Sequence, residues 1–378
     1  MYIKGLTLQN FRNHIDTQVD WGKHINVITG PNGSGKTSII DGIHYLCMSR
    51  SFVSNSDKYV LNHDSNFFML KGDFRGQIRS EFEVSCTYSK SDGKNLFVNE
   101  SPLERFSDLI GMVPVVVLSP SDRSLTREGP SERRSFLDAF ISQLSKSYLK
   151  LLIEFKKVIK QRNSLLQDFR GPIEQLKLHL EPWDAQLAQK GSKIIAWRTE
   201  VLNQFQDYLE EVYQRITDLH HRPNFEYQTI CTPSTNASEI EKQYREQLAE
   251  KQDYEIEREL STIGPHRDEV VFYLDDFELR KYGSQGQHRL FTLSLKLAQL
   301  FYYSDELDDL PIFLLDDVFG DLDARRTQTL LKALAEHAGQ VFVTSAAPLP
   351  FDEYLNFDGF KNCSYHVEQG NIKQTVIS

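Results

Sequence analysis

The chain has 378 residues, 40% hydrophobic and 25% charged, a globular composition long enough for two domains or for one domain with a large insertion. No apolar run approaches the roughly 20 residues that span a bilayer, and the opening MYIKGLTLQNFRNH lacks the apolar core of a signal peptide, so a cytoplasmic protein with no membrane partner is expected. The formal net charge of −10 excludes a generally basic nucleic-acid binder; any such surface has to be a local patch on an acidic body.

In chain order, Ile3, Gly5-Leu6, Leu8 and Phe11, then Ile15 to Trp21, predict two short strands. His24 to Thr29 reads as a buried strand that runs into a glycine-rich turn and a helix from about Thr37 to Met48. Phe67 to Phe74, Ser80 to Tyr88 and Asn95 to Val98 read as antiparallel strands, with a turn at Ser91-Asp92-Gly93. Val113 to Leu118 is a further apolar, β-branched run, ended by Ser119-Pro120. Near Gly129-Pro130 the pattern turns helical and stays so to about Leu219. Ser131 is the expected N-cap of the first of these helices, and Gly171-Pro172 and Glu181-Pro182 are expected to separate the rest. A strand over Asn224 to Ile230 and a polar helix over Ser238 to Glu259 follow.

At Gly264-Pro265 the α/β pattern returns. Strands are expected over Asp268 to Leu274, Pro311 to Asp316 and Gln340 to Thr344, with helices over Gln285 to Tyr303 and Ala324 to His337. A hairpin, Ser364 to Glu368 and Asn371 to Ile377, closes the tail. The simplest organisation is an α/β head made of residues 1–130 and 255–378, interrupted by a helical lobe at 131–254. The cysteines Cys47, Cys86, Cys231 and Cys363 lie far apart and suggest neither a zinc site nor a disulfide framework.

The sharpest motif is Gly30-Pro31-Asn32-Gly33-Ser34-Gly35-Lys36-Thr37, followed by Ser38. It fits GxxxxGK[ST] between a strand and a helix, the context in which backbone N–H groups cradle phosphates. Lys36 is placed to reach the β- and γ-phosphates of ATP, and the Thr37 hydroxyl to ligate Mg²⁺. Far downstream, Pro311-Ile-Phe-Leu-Leu-Asp-Asp317 is a buried strand with two acids at its C-terminal edge, where parallel sheets bind ligands. Asp316 is the expected second Mg²⁺ ligand, and Asp317 the residue that orients or deprotonates the attacking water. The third motif is Tyr282-Gly-Ser-Gln-Gly-Gln-His288. Its Ser284, Gly286 and Gln287 match the S-G-Q skeleton of the ABC signature, with Gln285 in place of the usual first glycine. One chain does not need two anion sites for one γ-phosphate, so Ser284 is expected to cap the ATP of a second copy across a two-fold axis. Asp323, in Gly320-Asp-Leu-Asp323, stands at a D-loop position, either contacting the partner or capping the next helix. Thr344-Ser345 occupies the place of the switch histidine of ABC proteins, and no glutamine follows Val113 to Leu118.

These motifs, in this order, resemble the RecF family over essentially the whole chain. The specific stretches are Leu8-Gln-Asn-Phe-Arg-Asn13, Gly129-Pro-Ser-Glu-Arg-Arg-Ser-Phe-Leu-Asp138, Gln161-Arg-Asn-Ser-Leu-Leu166, Ile263-Gly-Pro-His-Arg-Asp268 and Leu314-Leu-Asp-Asp-Val-Phe319. The resemblance implies an ABC-type, SMC-like P-loop ATPase head with an inserted helical lobe. It also implies a homodimer on ATP, weak ATPase activity, and binding to single- and double-stranded DNA at gaps and junctions, with RecO and RecR helping RecA load. An ATP-gated DNA clamp without meaningful hydrolysis is the alternative. By the same resemblance Arg12 lies near the phosphates, and Arg133-Arg134 and Gly264 to Arg267 are functional candidates, set against solvated charges and a surface turn. Slow hydrolysis is expected, since Asp317 is shorter than the glutamate common in ABC proteins.

Overall fold

Period-two burial organises the first part of the chain. In the computed structural model, which describes residues 1–78, 80–217, 221–321, 323–346 and 355–375, the order is β1 (Tyr2–Phe11), β2 (His14–Asp20), β3 (Ile25–Thr29), helix α1 (Lys36–Met48), β4 (Phe67–Arg75), β5 (Phe82–Ser89), β6 (Gly93–Val98), β7 (Ser101–Pro102) and β8 (Val115–Leu118). Six of these strands form an antiparallel sheet in the order β2-β1-β4-β5-β6-β7. Along β5 the residues Phe82, Val84, Cys86 and Tyr88 are buried and those between are not, as a sheet with one covered face requires.

The chain then enters a second compact unit, Ser124–Tyr213 with His220–Phe291; the first comprises Met1–Arg123, Gln214–Leu219 and Thr292–Ser378. The second holds α2 (Ser124–Arg127), α3 (Pro130–Leu144), α4 (Lys146–Asp168), most of α5 (Ile173–Ile216), β9 (Pro223–Gln228), α6 (Ala237–Arg258), β10 (Glu269–Leu274), β11 (Phe277–Glu278) and α7 (Leu279–Tyr282). Residues 255–291, expected with the head, pack in this unit.

Four readings need correction here. Helix α3 is capped by Gly129, not Ser131, because Pro130 sits at its first position with φ already fixed for a helix. Pro182 does not divide the helices: α5 runs through it. The carbonyl that a proline leaves without a donor is that of Leu178, which is exposed and can be solvated. Asp218 and Leu219, at the expected end of the helical stretch, lie outside the described residues. Arg133 is not a solvated charge. It is 4% exposed, its guanidinium bonds both oxygens of Glu269 at 2.8 and 2.9 Å, and it donates to the carbonyls of Leu125 and Glu128. Nor is Gly264 to Arg267 a loose surface turn. Gly264 has φ +118 with the Tyr244 hydroxyl packed on it, and that hydroxyl donates to Ile263 O.

After α8 (Gln285–Glu306) come β12 (Ile312–Asp316), α9 (Ala324–His337), β13 (Gln340–Ser345), β14 (Cys363–Glu368) and β15 (Asn371–Thr375). The expected end of the last strand, Val376 and Ile377, lies outside the described residues. A second sheet of the first unit has the order β15-β14-β3-β13-β12-β8, parallel except at β15. Ile312 to Leu315 and Val341 to Val343 are fully buried, as in a parallel sheet covered on both faces. Asp316 pairs with Thr344 and Ser345 with Thr29, so β12, β13 and β3 end together at one edge. Helix α1 packs against both sheets, and no described helix is long and apolar enough to cross a membrane.

Within α1, His44 is buried, its Nδ1 lies 3.0 Å from Arg50 O and its ring meets Phe52 edge-on. Burial pushes its pKa down to about 3, below the unfolded value near 6.5. The folded ring is therefore neutral, and its stabilisation is complete above pH 6.5 and lost as pH falls toward 3. Each unit below 6.5 removes about 1.4 kcal/mol through this group. Urea unfolding from pH 7 to 5 is expected to show a slope about one proton smaller in His44→Phe than in the parent; parallel slopes would contradict it.

Candidate nucleotide site

The turn between β3 and α1 carries the glycines where the backbone needs them. Gly35 lies at φ +112, and a Cβ there would sit 2.7 Å from His14 Nε2. The loop is braced from elsewhere in the unit. Asn13 Nδ2 donates to Gly33 O at 3.0 Å, and Gly370 N, in the β14–β15 turn, donates to Ser34 O at 2.9 Å. His14 lies between Gly35 O at 3.1 Å and Thr17 Oγ1 at 2.9 Å, and the Thr17 hydroxyl donates to Gly370 O. Burial lowers the His14 pKa.

The charged groups converge at the shared strand ends. Lys36 Nζ donates to Gly30 O at 2.7 Å and Pro31 O at 2.8 Å. Its pKa is lowered by burial, against the opposing pull of Asp317 and then Asp316. The Thr37 hydroxyl lies 2.9 and 3.1 Å from the two Asp316 oxygens. Asp316 is raised by burial, and hydrogen bonds from Thr344 and Thr37 hold it back. Ser34 Oγ is buried and has no hydrogen-bond partner, an acceptor-seeking group inside the loop. Left-handed glycines, an unpartnered hydroxyl, a helix N-terminus and a lysine fit a polyphosphate. Thr37 and Asp316 are the hard oxygen donors that suit Mg²⁺, and a bound ion would supply neutralisation of phosphate charge there.

Arg12 is tied to helix α1 by Asp41. Its Nε donates to Asp41 Oδ2 at 2.9 Å, and its guanidinium also reaches Ser51 Oγ at 3.1 Å. Asp41 is fully buried on α1 and also accepts from Phe52 N. After β8, where no glutamine was found, Asp122 accepts from Ser119 N and pairs with Lys296 of α8 at 2.8 Å.

A family model described as "RecF/RecN/SMC N terminal domain" matches residues 2–362. The DNA replication and repair protein RecF of Salinibacter ruber is 41% identical over 98% of this chain and 91% of its own length. That of Chloroherpeton thalassium is 39% identical over 92% and 95%. The chain belongs to the RecF family of DNA replication and repair proteins. Its fold superposes with a TM-score of 0.90 on a structure titled as the recombination mediator protein RecF-ATP in the RecFOR pathway, at 27% identity over 99% of this chain and 98% of the other. An Smc head domain of Pyrococcus furiosus superposes at 0.59 with 14% identity, covering 100% of this chain and 96% of that one, a likeness of fold. The RecF-family chain thus has an SMC-like, ABC-type ATPase head fold.

In the second unit, the signature segment of this RecF-family chain forms a reciprocal cap. Ser284 N donates to Gln287 Oε1 at 2.8 Å, and Gln287 N donates to Ser284 Oγ at 3.2 Å. Ser284, Gln285 and Gly286 are exposed. Asp323 caps α9, accepting from Arg326 N at 2.9 Å and pairing with its guanidinium; Leu322 beside it lies outside the described residues. Sequence reasoning missed the braces His14, Thr17 and Gly370. The signal available was the histidine directly after Asn-Phe-Arg-Asn, whose partners lie elsewhere in the chain.

Proposed function

We propose that this chain is an ATP-dependent DNA-binding recombination-repair protein of the cytoplasm. Two copies close around ATP and Mg²⁺, each giving its Lys36 loop to one site and its Ser284 segment to the other, and hydrolysis is slow. The observation that carries the reading is the convergence of Lys36, Thr37 and Asp316 at one sheet edge, while a capped, exposed Ser284 opens α8. In it, residues 1–130 and 255–378 work as the head and 131–254 as the lobe, with 255–291 serving the head's chemistry although they pack in the second unit. Gly30 to Ser38 and Arg12 bind ATP, Thr37 and Asp316 hold Mg²⁺, Asp317 orients water, and Asp323 meets the partner copy. The solved relative's title names ATP and the RecFOR pathway, which supports ATP as ligand and RecO and RecR as partners; a role in RecA loading at DNA gaps and junctions rests on the family resemblance. The local basic patch that an acidic chain needs has a candidate on α4, where Lys146, Lys150, Lys157 and Lys160 are exposed at helical spacing.

Light scattering with saturating ATP and Mg²⁺ is expected to show twice the mass of the nucleotide-free protein. Ser284→Arg is expected to stay monomeric and still bind ATP with parental affinity. A parent that stays monomeric with nucleotide and gapped DNA present overturns the proposal; lost ATP binding in Ser284→Arg would assign the segment to its own copy's site.

A further inference from the structure

One of the two residues that stand in place of a switch histidine has a task of its own. Thr344 is fully buried on β13, directly opposite Asp316 of β12 in the parallel register. Its Oγ1 lies 2.8 Å from Asp316 Oδ1, 3.0 Å from Asp317 N and 3.5 Å from Leu315 O. The protons assign the directions. Asp317 N–H can only donate, so the hydroxyl oxygen accepts there. The hydroxyl has one hydrogen, and the shorter contact takes it to Asp316. Asp317 itself stands at φ 50, in the left-handed region that a residue with a side chain occupies only when its surroundings hold it. The bond from its N–H to Thr344 supplies such a hold.

The geometry points to Thr344 as a positioning residue: one hydroxyl fixes the angle of the Asp316 carboxylate and the direction in which Asp317 leaves the strand. Thr37 meets Asp316 from the phosphate-loop side, and Thr344 meets it from inside the sheet. Packing alone does not call for a hydroxyl at this place. The neighbours Val341 and Val343 show what a buried strand position takes when only bulk is required. The inference rests on the ATP and Mg²⁺ reading above, because the two carboxylates have their assigned roles only there.

The test compares Thr344→Val, which keeps shape and β-branching and removes the hydroxyl, with Thr344→Ser, which keeps the hydroxyl. Three quantities are read: ATP affinity in EDTA, Mn²⁺ affinity with ATP present by electron paramagnetic resonance, and turnover against Mg²⁺ concentration. Thr344→Val is expected to bind ATP in EDTA within twofold of the parent. Its Mn²⁺ affinity and its Mg²⁺ half-saturation are expected to worsen about tenfold, about 1.4 kcal/mol, with kcat lower by a similar factor; Thr344→Ser restores all three. Should Thr344→Val fold poorly, Thr344→Ala serves as the second hydroxyl-free variant and is expected to show the same metal defect. Parental metal affinity in both hydroxyl-free variants overturns the inference. So does a metal defect as large in Thr344→Ser, which would make the residue a packing element. A parent that binds neither ATP nor Mn²⁺ with ATP sinks the functional reading itself, a different result from either.

Discussion

Lys36→Ala is expected to weaken ATP binding by about 10- to 150-fold, the ~1.5–3 kcal/mol of a hydrogen bond to a charged group. The ammonium is already aimed. Two carbonyls of its own loop, Gly30 and Pro31, grip it at 2.7 and 2.8 Å, and it lies within the field of Asp316 and Asp317. The orientation is thus paid for before nucleotide arrives. Removing it leaves two acids facing a polyanion without their counter-charge. Lys36→Arg is expected to recover little, since a planar fork does not fit a pocket shaped for a point charge. Titration calorimetry decides: an affinity within threefold of the parent for Lys36→Ala would show that the loop amides hold the phosphates alone.

The second large effect falls on the helical unit. Arg198→Met is expected to destabilise it by about 3–5 kcal/mol, the penalty for removing one partner from a buried ion pair. Arg198 is 1% exposed and ties two helices to the segment before β10. It bonds Asp138 of α3 at 2.8 Å, the Tyr148 hydroxyl of α4 at 3.2 Å, Pro265 O at 2.8 Å and Asp268 at 3.1 Å. The Tyr227 hydroxyl donates to Asp268 as well. The two carboxylates respond differently. Asp138 is held below the usual carboxylate range by Arg198 and Lys156 despite its burial, whereas burial raises Asp268. Without the guanidinium, buried Asp268 would lose its cation and Asp138 would keep only Lys156. Urea unfolding of the whole chain followed by tryptophan fluorescence reports the change, since Trp197 packs edge-on against Tyr148. A loss below 1 kcal/mol would mean that the network is replaceable by apolar packing.

The nucleotide motifs were legible because their chemistry is local. Gly30 to Thr37 and the strand ending at Asp316 carry their meaning in consecutive residues, and the register of β12 and β3 on either side of β13 brings them to one edge. What escaped the sequence depends on partners far away. Arg133 reads as a functional candidate or a solvated charge until Glu269 is seen against it. His14 belongs to none of the expected strands and motifs, and its part in the loop shows only when Gly35 and Thr17 close on it. Pro182 reads as a breaker because the pattern does not show that Leu178, whose carbonyl loses its donor, is exposed. Thr344-Ser345 reads as a missing histidine, and only the pairing of β12 with β13 shows what the Thr344 hydroxyl holds.

The strand that carries the phosphate loop has an order of assembly built into it. The neighbours of β3 are β13 and β14, Ile25 lying beside Val341 and Asn26 beside Cys363. Hairpins such as β1–β2 and β5–β6 can close from nearby residues, but β3 has no sheet to join until residues 340–345 and 363–368 exist. Such non-local parallel pairing is slow to form. A fragment ending before β13 would therefore hold the whole glycine-rich motif and have nowhere to seat it.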